Sequence, residues 1–292
     1  MFDVNEMIMH HIMDSHDFHV MDWNGHAVSV PLPVILWTNN GLVAFMSSEF
    51  HHDDSGTVVV NRKEQSFIKY HGTIYYANQN SSEKLIQFDG SNHPINQKPL
   101  DFSITKLVFS MFLSIIIIFI LFRLSARSYA RSNRGEPVGI AKFTEPIVLF
   151  IKEEVALPFI GEDKYEKYVP FLLTLFFFIW INNIMGLIPF FPFSGNLSGN
   201  IAFTGVLAII TFVITTIVAN KDYWKHIFWM PGVPVPMKLF LAPIEFLGIF
   251  IKPASLMIRL FANISGGHII ILSLISLIFI FESLWLAPAS IF

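Results

Sequence analysis

The feature that most constrains this chain is a set of four apolar tracts, each long enough to cross a lipid bilayer. The tracts cover residues 107–124, 169–191, 201–219 and 237–285. A hydrocarbon core of about 30 Å requires about 20 helical residues. The pattern therefore predicts an all-α polytopic membrane protein with about four to five membrane helices.

The last tract leaves two arrangements open. It runs for almost fifty residues and contains Pro243 and Pro253, which interrupt or kink a helix. It predicts either two short spans or one long, strongly tilted helix with kinks. In the second arrangement that helix carries Arg259. Between the first two spans, residues 144–160 combine apolar side chains with flanking charges. This pattern favours a helix on the membrane surface, and a cytosolic linker helix is the alternative.

Composition and charge divide the chain at about residue 101. The sequence is 53% hydrophobic and only 14% charged, whereas soluble domains carry roughly 25% charged residues. Residues 1–101 hold 5 Lys and Arg against 12 Asp and Glu, while residues 102–292 are basic. We therefore predict an acidic N-terminal module at 1–101 and a membrane domain at 102–292, and nucleic-acid binding is disfavoured. The absence of Cys excludes disulfides, thiolate metal sites and cysteine nucleophiles.

The N-terminal module carries signals for two β-hairpins. Asn40-Gly41 separates the apolar runs 34–37 and 42–46, and Asn-Gly readily supplies the positive φ of a tight turn. His71-Gly72 separates 66–70 from 73–76 in the same way. Residues 78–97 are polar and predict a loop. The module is expected to be small and β-containing, without a catalytic constellation.

A histidine-rich stretch at the N-terminus has two interpretations. Imidazole and carboxylate are ligands that suit zinc. The possible ligands are Glu6, His10, His11, Asp14, His16 and His19. Their spacing matches no rigid ligand template, so a solvated helical tract is the favoured interpretation and a metal site the weaker one.

Basic residues predict the orientation. Arg123, Arg127 and Arg131 directly follow the first span, and Lys221 and Lys225 follow the third, which predicts that both ends are cytoplasmic. The N-terminal module is then extracytoplasmic. Residues 1–3 lack the basic start and apolar run of a secretory signal, so we expect either a signal peptide in a longer precursor or an unassisted route.

A polar stripe follows one face of the last tract, and ionisable groups at membrane depth usually mark a transport pathway. At about 100° per residue, six polar or glycine positions fall within about 40° of Arg259. They are Glu245, Gly248, Lys252, Ser255, Asn263 and Gly266. His268 lies opposite, at about 180°. The orientation places Glu245 towards the cytoplasm, Arg259 near the middle and His268 towards the outside. His268 as a packing residue and Asn182 and Asn183 as interhelical hydrogen-bond partners are the structural alternatives.

Arginine keeps its proton at any physiological pH, whereas Glu and His exchange protons when their environment suits. A fixed positive charge between two titratable groups is therefore a barrier to direct proton leakage. Pairing of Arg259 with Glu245 is excluded, since fourteen residues span about 21 Å of helix.

The residues around Arg259 resemble subunit a of the F-type ATP synthase. The resemblance rests on the run Lys252-Pro253-Ala254-Ser255-Leu256-Met257-Ile258-Arg259-Leu260-Phe261-Ala262-Asn263-Ile264-Ser265-Gly266-Gly267-His268. Pro243-Ile244-Glu245, the segment 182–189 and the segment 198–202 support it in order. It covers about residues 100–285.

This resemblance implies a non-catalytic, proton-translocating subunit without cofactors, in the bacterial plasma membrane. Its implied partners are the ring of c subunits, the b subunits of the peripheral stalk and the other subunits of the complex. Arg259 matches the essential arginine that faces the carboxylates of the ring. Asn183, Asn263 and His268 match positions of the external half-channel, and Glu245 and Ser255 match positions of the cytoplasmic one. Protons and sodium ions both remain open as the transported ion.

Two departures accompany the resemblance. The family continues with a final helix that packs against the arginine-bearing one, and the sequence stops at Phe292, where that helix should begin. We therefore expect a fragment, or a chain with an incomplete channel. The N-terminal module is also longer than the family's usual N-terminus.

Three rival functions are weaker. A secondary transporter would show internal repeats, and none relates 107–191 to 201–285. A haem oxidase needs two facing intramembrane histidines, and only His268 qualifies. A metalloprotease needs a His-Glu-x-x-His motif, which does not occur in the sequence. A scaffold acting through its outer module leaves the charged stripe unexplained.

Overall fold

A computed structural model describes residues 14–23, 26–78, 85–90, 93–131, 136–188, 192–193, 195–230, 232 and 234–281. His10 and His11 lie outside these ranges. The described residues form two compact units, one that ends at Gly195 and one that begins at Asn196. The first unit holds the N-terminal module and four helices, and the second holds the long helix with Arg259.

In the described residues the N-terminal module is built from eight short strands, whereas its turn signals predict only the four strands of two hairpins. The eight strands are β1 (Asp17–Trp23), β2 (His26–Pro31), β3 (Pro33–Thr38), β4 (Gly41–Met46), β5 (Val60–Arg62), β6 (Gln65–Tyr70), β7 (Thr73–Tyr76) and β8 (Leu100–Asp101). They form three antiparallel sheets with the orders β1–β2, β4–β3–β8 and β5–β6–β7. Strand β8 connects the module to the first helix and pairs with β3 across a long separation in sequence.

Both predicted hairpins are confirmed. In β3–β4, Thr38 pairs with Gly41, which carries the positive φ of 93°. In β6–β7, His71 and Gly72 both have positive φ, as a type I′ turn requires. A third hairpin, β5–β6, lacks a sequence signal because its left-handed turn residues are Lys63 and Glu64.

Apolar side chains that alternate along these strands, together with Phe50 of the 3₁₀ helix Ser47–Phe50, form the larger core cluster of the module. The core consists of Val34, Leu36, Val43, Phe45, Phe50, Val60, Phe67 and Ile74. The helical interpretation of the histidine-rich stretch is wrong from residue 17 onward, because Asp17–Trp23 is strand β1. Pairing with β2 supplies backbone hydrogen bonds that the local sequence does not indicate.

Residues 14–18 attach the module to the first helix. The Lys106 amide donates to the Ser15 carbonyl at 2.9 Å, and the Leu107 amide donates to Asp14 Oδ1 at 3.1 Å. The Phe18 and Phe109 rings meet edge to face at 6.1 Å. Asp14 thus satisfies an amide of the first helical turn from 93 residues away in sequence, in the manner of a helix cap.

Seven α-helices follow the module in the described part of the chain. They are α1 (Lys106–Arg131), α2 (Ile140–Leu149), α3 (Leu157–Ile160), α4 (Tyr165–Leu187), α5 (Ile201–Val218), α6 (Lys221–Phe228) and α7 (Val235–Phe281). A π-helical segment, Phe150–Ala156, joins α2 to α3. The helix expected at 144–160 therefore exists and begins at Ile140. Its placement on a membrane surface remains a prediction.

Helix α7 decides between the two arrangements predicted for the last tract. It is one continuous helix of 47 residues that includes Pro243 and Pro253. At 1.5 Å per residue it is about 70 Å long, more than twice the thickness of a hydrocarbon core. A single upright span cannot accommodate this length, so the helix must tilt or extend beyond the membrane.

Candidate functional site

One side of α7 is packed against α5 and α6. The Phe250 ring lies 5.6 Å from that of Phe212 on α5, and the Phe246 ring lies 6.1 Å from that of Phe228 on α6. Farther along, a Cβ atom on Gly205 would lie 3.4 Å from Met257 Sδ, so α5 and α7 approach closely there. This apolar contact fixes which side of α7 remains open.

The open side carries the predicted polar stripe. The side chains of Lys252, Ser255, Arg259 and Asn263 are exposed, and that of Glu245 is half-buried. Among the described residues, no carboxylate lies within ion-pair distance of Arg259. The structure therefore places a guanidinium on the exposed face of a long apolar helix, with no counter-charge from the residues that the structure describes.

His268 is separate from this stripe, as its angular position predicts. Its side chain is 5% exposed and lies on the packed side of α7. Nine residues separate it from Arg259, about 13 Å along the axis. One turn earlier, Ser265 Oγ donates to the Gly199 carbonyl at 3.4 Å. The segment before α5 thus packs on the same side of α7 as His268.

Asn182 and Asn183 belong to the other compact unit. Asn182 on α4 is 1% exposed, and its Nδ2 donates to Ser114 Oγ on α1 at 3.0 Å. The interhelical role considered for Asn182 is therefore confirmed. Asn183 is half-buried, with its Oδ1 atom buried. Nothing in the local sequence singles out Ser114 as the partner, because Ser110 is an equivalent polar side chain one turn away in the apolar tract of α1.

Ionisable groups of the N-terminal module pair with one another. Lys69 Nζ donates to Asp17 Oδ2 at 2.8 Å, and both side chains are largely buried. Burial opposes ionisation of Asp17, but hydrogen bonds from Lys69 and Ser47 and the charge of Lys69 outweigh it. The pKa of Asp17 is consequently below its ordinary value.

His16 has a structural partner. Its Nε2 atom lies 2.8 Å from Asp101 Oδ2, and its side chain is buried. Burial also opposes ionisation of Asp101, but hydrogen bonds from His16 and Ser103 outweigh it and lower the pKa of Asp101. No cluster of three or more metal-ligating side chains occurs among the described residues. His19 lies on β1, and the weak metal prediction that includes His10 and His11 stays a prediction.

The chemistry of the α7 stripe follows from its exposure. A guanidinium keeps its charge and offers several donors in a plane, so it attracts a carboxylate without exchanging protons with it. Exposure on an apolar helix makes this charge available to a partner that packs against the same face. Among the described residues, four helices are long and apolar enough to cross a membrane: α1, α4, α5 and α7. The fold therefore defines a multi-pass membrane protein with a charged helix face.

Comparison with known families agrees with this class. The family model described as "ATP synthase A chain" matches residues 108–292, which include Asn183 and the polar stripe and His268 of α7. The chain belongs to this family. A second model, described as "Domain of unknown function (DUF8433)", matches residues 7–102.

Curated relatives point to the same family. "ATP synthase subunit a" of Chloroherpeton thalassium is 38% identical over 197 residues, which are 65% of this chain and 57% of the relative. The protein of that name from Pelodictyon phaeoclathratiforme is 41% identical over 204 residues, 66% of this chain and 58% of the relative. The protein of that name from Anaeromyxobacter sp. is 35% identical over 227 residues, which are 72% of this chain and 53% of the relative. The chain thus spans somewhat more than half the length of these relatives.

Proposed function

We propose that this chain is the proton-translocating, non-catalytic subunit a of a bacterial F-type ATP synthase. Its α7 stripe faces the ring of c subunits, and the b subunits of the peripheral stalk hold it in place. The chain lies in the plasma membrane with its N-terminal module outside. The observation that carries the proposal is Arg259, which is exposed on α7 and has no carboxylate partner among the described residues.

The cost of charge in a membrane supports a partner for this arginine. A charged side chain at membrane depth is expensive unless it pairs or meets water. The packing of α5 and α6 on the opposite side leaves the stripe accessible to a neighbouring subunit. A carboxylate on that neighbour would be stabilised when ionised, since removal of an unpaired carboxylate from water costs several kcal/mol. Arg259 supplies that stabilisation at one point of the contact.

Two half-channels would serve this contact. Glu245 and Ser255 are assigned to the cytoplasmic one, and Asn183, Asn263 and His268 to the external one. Glu245 and Asn263 lie on the open side of α7, to either side of Arg259 along the axis, whereas His268 is buried on the packed side. A proton on either route would meet the fixed charge of Arg259 before it could pass directly through. Coupling then requires the ring to rotate.

The test is substitution of Arg259 in the complete complex. Arg259→Ala is expected to abolish ATP-driven proton pumping in membrane vesicles, while ATP hydrolysis by the soluble sector and assembly remain. Arg259→Lys should restore little pumping, because an ammonium is compact and strongly hydrated and lacks the planar guanidinium. Arg127→Ala removes an exposed charge from α1 and serves as the matched control. Near-normal pumping by Arg259→Ala would refute the proposal.

A further inference from the structure

A buried polar seam runs between α1 and α4. Ser110 and Ser114 lie one turn apart on α1, and both side chains are fully buried. Asn182 on α4 faces them and is 1% exposed. Buried hydroxyl and amide groups need hydrogen-bond partners within the protein or from bound water, because bulk solvent does not reach them.

The hydrogen bonds within the seam leave several buried oxygen atoms without a partner among the described residues. Asn182 Nδ2 uses both hydrogens, one to Ser114 Oγ at 3.0 Å and one to the Phe178 carbonyl at 2.7 Å. Ser114 Oγ donates to the Met111 carbonyl at 2.8 Å. Across the part of the chain that the structure describes, Ser110 Oγ, Asn182 Oδ1 and Asn183 Oδ1 are buried and have no hydrogen-bond partner.

These atoms occur at neighbouring levels of the two helices. Helices α1 and α4 run antiparallel, because Ser114 meets Asn182 and, two turns further along α1, Phe122 packs on Phe177. Ser110 therefore lies one turn beyond Asn182, near the level of Gly186, which is also buried. Its Oγ atom lies against Gly195, where an added Cβ atom would clash with it.

Elsewhere on α1 a buried serine is fully satisfied by protein. Ser125 Oγ lies 2.6 Å from Thr144 Oγ1, and both side chains are buried. Beside the seam, Phe177, Ile181 and Met185 form an apolar cluster. The contrast between the two ends of α1 is thus one of hydrogen bonding and not of residue type or burial.

We propose that water occupies the seam, bound by Ser110 Oγ, Asn182 Oδ1 and Asn183 Oδ1. Buried water characteristically bridges two to four polar groups that protein atoms leave unsatisfied. Ser110 Oγ and Asn182 Oδ1 are two such groups in the seam, and Asn183 directly follows Asn182 on α4. On the proposed function, this water would hydrate Asn183 from the α1 side and extend the external half-channel to a helix that carries none of its assigned residues.

Proton exchange at single cysteines tests the hydration directly. Ser110→Cys is nearly isosteric, and the natural chain has no cysteine, so its S–H stretch is a unique infrared band. After transfer of membranes with the full chain into D2O, conversion of S–H to S–D measures contact with water. Ser125→Cys is the matched control. We expect exchange at Ser110→Cys to be at least about tenfold faster, since a dry site must first open locally.

A second variant separates hydration from loosened packing. In Asn182→Leu the new side chain has a similar volume but lacks the Oδ1 acceptor. Exchange of S–H for S–D at Ser110→Cys in that background should therefore slow towards the rate at Ser125→Cys. Exchange at Ser110→Cys no faster than at Ser125→Cys would overturn the proposal, and so would a rate that Asn182→Leu leaves unchanged. Neither result depends on Arg259, so the seam and the proposed function can fail independently.

Discussion

The buried ion pair of the N-terminal module gives a prediction whose size follows from the structure. Lys69→Met keeps most of the side-chain volume and removes the cation from Asp17. The side chains of Lys69 and Asp17 are only 7% and 12% exposed, and their charged atoms are 2.8 Å apart. Removal of one partner from such a pair costs about 3–5 kcal/mol, because the other charge stays buried and uncompensated.

The lower end of this range applies here. Ser47 Oγ also donates to the carboxylate of Asp17 and remains after the substitution. We therefore expect a loss of about 3 kcal/mol, which corresponds to a roughly hundredfold increase in the opening equilibrium of β1 and β6. Asp17→Asn combined with Lys69→Met removes both charges and should recover much of the loss, because no uncompensated charge remains.

Hydrogen–deuterium exchange of the full chain in lipid nanodiscs measures this opening strand by strand. Arg62→Met is the matched control, because it breaks the ion pair with Glu49 at 2.6 Å, where the side chains are 47% and 31% exposed. Such a surface pair contributes only about 0–1 kcal/mol. If Lys69→Met lowered the amide protection of β1 and β6 no more than Arg62→Met does, the reasoning that burial makes the loss of the Lys69 charge costly would be refuted.

Three further predictions concern pH, transport and topology. Because the pKa values of Asp17 and Asp101 are lowered by folding, their stabilisation is complete above the unfolded value of about 3.8 and is lost as the pH falls through the folded values. Near-ultraviolet circular dichroism should therefore show the module loosening only in that acidic range, and loosening near neutral pH would contradict the reasoning. His268→Ala should slow proton-driven ATP synthesis in vesicles with the subunit still assembled, and His268→Glu should retain part of the rate; unchanged rates in both would leave His268 as a packing residue. Single cysteines at Ser55 and Ser132 should react with an impermeant thiol reagent from outside and inside respectively, and reversed labelling would reject the orientation.

The seam also bears on how membrane helices of this chain associate. Lipid offers no hydrophobic drive for helices to pair, so packing and interhelical hydrogen bonds carry the association. Between α1 and α4 the bond from Asn182 to Ser114 adjoins the ring contact of Phe122 and Phe177 at 4.9 Å. The interface therefore combines one interhelical hydrogen bond with an apolar cluster. The proposed water would add hydrogen bonds to the polar groups that remain.

Much of this protein is determined by local sequence. The helices that can span a membrane follow from tract length, because a helix satisfies its own backbone hydrogen bonds without help from distant residues. The β3–β4 and β6–β7 hairpins follow from turn chemistry at Gly41 and Gly72. The stripe around Arg259 follows from helical periodicity, since its members share one continuous helix.

The tertiary structure decided whatever depends on partners far apart in the chain. The sequence does not say that Asp14 caps α1, that Asp17 pairs with Lys69, or that Ser114 meets Asn182. The local pattern of β1 predicts a helix, but its pairing with β2 outweighs that pattern. Such contacts depend on how chain segments fold back on one another, and only the packed structure specifies which polar groups are then buried together.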